Sequence, residues 1–108
     1  MNDDILLTTM DTVPGRTIIR HIGLAQGNVV RAKHVGRDIA AGLKNIVGGE
    51  LRGYTELLEE ARHDAINRMT DNARAQGANA VVNIRLSTSS VTSGASELYA
   101  YGTAVVVE

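Results

Sequence analysis

A chain of 108 residues is long enough for one domain, residues 1–108, with a modest core. Its net charge of -1 gives no electrostatic case for binding nucleic acid or an anionic membrane, and the lack of cysteine removes disulfides, zinc fingers, thiol catalysis and iron–sulfur clusters together. There is no Phe or Trp, and the only aromatics are Tyr54, Tyr99 and Tyr101, so small aliphatic side chains must fill the core and a partner surface would add burial.

The acidic start Met1-Asn2-Asp3-Asp4 is unlike a secretory leader and no apolar run is long enough to span a bilayer, so the expected location is cytoplasmic. Ile5 to Thr9 reads as a first strand. Thr12-Val13-Pro14-Gly15 reads as a type II turn, with Pro presetting φ and Gly supplying a positive one. Thr17 to Lys33 is β-branched and apolar: one long strand bent or bulged at Gly23 and Gly27, or two shorter ones. Asp38 caps a predicted helix with Ile39, Leu43, Ile46 and Val47 on one face, ended by Gly48-Gly49. A second helix is predicted from about Tyr54 to Gln76, with an apolar stripe of Tyr54, Leu57, Leu58, Ala61, Ala65 and Met69 and Gly77 as its stop. Ala78 to Leu86 is a strand with Ala80, Val82, Ile84 and Leu86 on one face. Ser87 to Ser96 reads as a polar hairpin loop, and Glu97 to Val107 as the last strand.

That last strand is apolar on both faces. Leu98, Ala100, Ala104 and Val106 point one way, and Tyr99, Tyr101, Val105 and Val107 the other. A sheet covered on one side alternates apolar with polar, so the second face is expected to meet another subunit. The second helix adds a further signal. At 100° per residue, Arg68 and Asn72 fall within the apolar sector and Asp64 lies at its edge. Arg68 either snorkels outward to pair with Asp64, or joins an interface or pocket network with Glu50, Tyr54, Arg62 and Asn72. Tyr99 and Tyr101 share a strand face and would line a ligand slot or an interface.

No catalytic constellation stands out. His21, His34 and His63 form no metal-binding motif, Gly48-Gly49 lacks phosphate-loop spacing, and the serines of 87–96 have no partner base at a telling distance. Catalytic residues, metal ligands and a cofactor are therefore not expected.

Gly48-Gly49-Glu50-Leu51, Tyr54-Thr55, Leu57-Leu58, Glu60-Ala61-Arg62, Arg68-Met69, Gly77-Ala78-Asn79-Ala80-Val81-Val82 and Tyr101-Gly102-Thr103-Ala104-Val105 together resemble the YbjQ-like family, a functionally uncharacterised family also described as a "putative heavy-metal-binding" domain. The resemblance runs along essentially the whole chain. It implies a two-layer α+β subunit similar to that of dodecin, assembled as a ring-shaped homopentamer, and supplies no catalytic residue. The expected fold is an antiparallel sheet packed against two helices in the order β-β-α-α-β-β. The expected function is a non-enzymatic assembly or binding module, with metal or small-ligand binding at subunit junctions as the alternative. Soft heavy metals prefer sulfur ligands, and this chain offers only Met1, Met10 and Met69, which form no motif.

Overall fold

The computed structural model describes residues 4–31, 46–47, 50–92 and 95–108, with side chains throughout except at 31, 46–47, 50–55 and 91–92. Its long helix, α1 (Arg52–Ala75), forms where the apolar stripe predicts. Ala61, Ala65, Met69 and Ala73 are buried along it, while Glu56, Glu59, Glu60, His63, Asn67, Asp71 and Arg74 face solvent. Gly77, at a φ of 92°, ends it in a Schellman motif. The Gly77 amide donates to the Arg74 carbonyl and the Ala78 amide to the Ala73 carbonyl, satisfying two acceptors that the helix end would otherwise leave open.

The main sheet has four strands: β1 (Leu6–Leu7), β2 (Ile18–Arg31), β5 (Ala80–Thr92) and β6 (Ala95–Val107), in the spatial order β1-β5-β6-β2. β2–β6 and β6–β5 pair antiparallel, but β1 pairs parallel to β5, so the sheet is mixed and not wholly antiparallel as predicted. The cause is the route of the chain. β1 and β2 both run parallel to β5 on opposite edges, so the connection between them must cross the sheet. It turns at Val13–Arg16, where the Arg16 amide donates to the Val13 carbonyl around Pro14-Gly15. Two short strands, β3 (Ile46–Val47) and β4 (Glu50–Leu51), pair antiparallel as a separate ribbon. Ile46 and Val47 thus leave the helix predicted for them. A β-branched pair followed by Gly-Gly has the composition of a two-residue hairpin, which competes with that of a helix end. The rest of that predicted helix, Asp38 to Lys44, lies outside the described residues, as does His34.

The core explains how a chain without Phe or Trp packs. On the side facing α1, the sheet presents Ala25, Gly27, Ala100, Gly102 and Ala104 against Ala61, Ala65, Met69 and Ala73. The helix comes so close at Gly27 that a Cβ there would collide with the Met69 backbone nitrogen and stand 2.6 Å from the Ala65 carbonyl oxygen. Close approach of backbones takes the place of large side chains. On the opposite face, Ala80, Val82, Val105 and Val107 are packed from within the chain by Val13, on the crossing connection, and by Ile18, at the start of β2.

β2 is one strand, with a register shift between His21 and Gly23. A bulge in β5 corrects a second expectation. Val82 opposes Thr103 and Arg85 opposes Tyr101, so two residues, Asn83 and Ile84, face one, with Asn83 at a φ of 54°. The extra residue reverses the alternation, and Ile84 joins Val81 on the helix side instead of following Val82. The predicted polar loop at 87–96 is mostly strand: Ser87 pairs with Tyr99, Ser89 with Glu97 and Thr92 with Ala95. Ser87, Thr88, Ser89 and Ser90 extend the hairpin as exposed, paired residues.

Candidate functional site

Arg68 and Asn72 find partners on the free side of β2. An edge strand turns alternate backbone groups toward solvent, and here α1 answers them. Arg68 donates to the Asn28 carbonyl at 2.8 Å, Asn72 Oδ1 accepts the Gln26 amide at 3.1 Å, and Gln76 donates to the Leu24 carbonyl at 2.9 Å. Gln76 also donates to Asn72 Oδ1 at 3.0 Å. The repeat is dictated by geometry. Four helical residues rise about 6 Å and two strand residues about 6.6 Å, so helix positions 68, 72 and 76 keep step with strand positions 28, 26 and 24. A polar residue in the apolar sector is therefore what a helix lying beside a sheet edge requires.

The same strand residues build the opposite face. Gln26 and Asn28 point their side chains away from α1, beside Tyr99 and Tyr101 of β6. Tyr99 donates its hydroxyl to Gln26 Oε1 at 2.6 Å, and Asn28 Nδ2 donates to Glu97 Oε2 at 2.9 Å. Ser89 donates to Glu97 Oε1 at 3.4 Å. The Tyr99 and Tyr101 rings stack with centroids 5.1 Å apart and planes 23° apart. Between these side chains lies an open cavity of about 450 Å³, lined by Gln26, Gly27, Asn28, Glu97 and Tyr99. On the same face of β2, Leu24 and Val30 stand at either end of the polar pair, 54% and 53% exposed.

The predicted residues thus fall in two layers, joined by two residues that the sequence reading passed over. Arg68 reaches Glu97 through Asn28, and Asn72 reaches Tyr99 through Gln26. In each case the helix holds the strand residue's backbone and its side chain shapes the cavity. Arg62 is exposed on α1 and Asp64 half-buried there. The side chains of Glu50 and Tyr54 lie outside the described residues. The signal for the missing pair was present: Gln26-Gly27-Asn28 puts two amides on one strand face between Leu24 and Val30, and Glu97, Tyr99 and Tyr101 alternate on one face of β6.

Comparison with known proteins supplies the family. A family model described as "Putative heavy-metal-binding", that of the YbjQ proteins, matches residues 5–108. The chain belongs to the YbjQ-like family. It is 64% identical over 104 residues to a "UPF0145 protein" of Hahella chejuensis, covering 96% of this chain and 100% of that one. It is also 57% identical over 105 residues to a "UPF0145 protein" of Archaeoglobus fulgidus, covering 97% of each. Among solved structures, a protein of unknown function from Pediococcus pentosaceus, assigned to the DUF74 family, superposes with a TM-score of 0.63 at 12% identity. That match covers 96% of this chain and 98% of the other, and shows the fold alone.

Among the described residues, the donor set of this YbjQ-like chain does not fit the heavy metal that the family description names. Among the described residues, no three His, Cys, Asp or Glu side chains come together. Met69 is fully buried in the core, His21 is on β2 and His63 on the solvent face of α1. Among the described residues, too, no helix is long and apolar enough to cross a membrane.

Proposed function

We propose that this chain is the subunit of a homopentameric, non-enzymatic binding module whose copies meet beside the Gln26–Tyr99 cavity. The observation that carries this reading is the layout of the open sheet face. Leu24 and Val30 leave apolar side chains exposed on either side of a polar cavity, and a second copy seated on them would roof that cavity at a subunit junction. The shape of the chain supports it. Its radius of gyration is 16.7 Å, against about 13 Å for a compact chain of this length. A chain this extended leaves more of its surface for a partner to bury. The cavity's polar groups are fixed on one another, an arrangement suited to holding a ligand. Size-exclusion chromatography with light scattering tests the assembly. A mass about five times the 11.5 kDa chain is expected, and a monomer at micromolar concentration would end this reading.

A further inference from the structure

We infer that the cavity over Gly27 takes a small organic cation, a protonated amine or guanidinium, with Glu97 as its counter-ion. This rests on the binding-module reading above and names the ligand class. Of the described residues lining the cavity, Glu97 alone carries a charge, and it is negative. Glu97 is half-buried, its carboxylate oriented from two sides by Asn28 and Ser89. Carboxylates accept more than one hydrogen bond per oxygen, so these donors fix the group and leave lone pairs for a ligand. Tyr99 uses its proton on Gln26 and so turns acceptor capacity toward the space, while its ring, backed by Tyr101, offers a π face. A carboxylate, a phenol oxygen and an aromatic face together favour a delocalised or alkylated cation that donates N–H groups. A volume of about 450 Å³ suits a small molecule.

The competing occupants fit less well. A bare metal ion needs several converging oxygen, nitrogen or sulfur ligands, and the described residues of the cavity offer one carboxylate and no imidazole or sulfur. An anion would face Glu97 with no cationic side chain among the described residues of the lining. Arg68 is nearby in the chain of contacts, but its guanidinium sits at the β2 edge on the Asn28 carbonyl, where it holds the wall of the cavity in place.

The test uses the full chain, with its assembly state measured by light scattering on the same sample. The protein is titrated separately with methylguanidinium, putrescine, zinc chloride and sodium acetate. Tyrosine fluorescence reads the site directly, because the chain has no Trp and two of its three Tyr lie there. Side-chain amide resonances of Gln26 and Asn28 give a second readout. Saturable shifts are expected with the two organic cations. Glu97→Gln, which keeps the shape and removes the charge, should weaken them about ten-fold, and Tyr99→Leu roughly five-fold. Absence of saturation in an intact oligomer overturns the cation site while leaving the assembly standing. Unchanged affinity in Glu97→Gln, or displacement of the cation by zinc or acetate, overturns it as well. A monomer that binds the cations would sink the assembly reading and leave the site intact.

Discussion

At the scale of single residues, the decisive position is Gly27. Its neighbours at the missing Cβ are backbone atoms of Ala65, Arg68 and Met69, which cannot swing aside as a side chain would. Gly27→Ala is therefore expected to lift α1 from the sheet and cost about 3 kcal/mol, seen as a lower urea midpoint. Stability within 0.5 kcal/mol of wild type would show that the close approach is not needed. The composition had signalled a core without large rings, and the Gly and Ala contacts explain why none is required. The sequence could not show which glycine was held by space and which by conformation, because that depends on a helix about 40 residues away.

At the scale of elements, α1 covers the β2 edge through Arg68, Asn72 and Gln76. Each hydrogen bond contributes about 1 kcal/mol. The alanine triple variant Arg68→Ala/Asn72→Ala/Gln76→Ala is expected to lose about 3 kcal/mol and to expose a strand edge. Sedimentation should then reveal larger, edge-joined species. If the triple variant keeps the wild-type assembly and midpoint, the ladder protects nothing. Much of this element-level picture was legible. The stripe gave α1 to within two residues at its start, Gly77 gave its end, and Pro14-Gly15 gave the turn. Two things were not. The strand exchange that makes β1 parallel is a property of chain routing, which periodicity does not encode. The bulge at Asn83 is set by pairing with β6, so alternation read along β5 alone carried Ile84 to the wrong face. For the site, the helix residues were conspicuous because they broke an apolar pattern. Gln26 and Asn28 broke one too, but on a strand whose facing was unknown without its partner.

At the scale of the molecule, the exposed apolar pair on β2 supplies a test of assembly that leaves the core alone. Leu24→Glu/Val30→Glu changes two side chains that are more than half exposed, so folding should be nearly unaffected. Carboxylates brought into a closing interface repel and desolvate, so the oligomer proposed above is expected to fall to monomers by light scattering. An oligomer of unchanged mass would move the junction elsewhere on the surface.

The parallel placement of β1 also bears on how the chain reaches its native state. Leu6 pairs with Ala80, and Arg85 reaches the Thr9 carbonyl across 76 positions. Such contacts are rewarded only after a long loop has closed, which slows their formation relative to the β5–β6 hairpin. β1, synthesised before the strand it pairs with, is thus among the last to dock. Until it does, the β5 edge that it covers is open to other nascent chains, so early folding intermediates should be more prone to aggregate than the native chain.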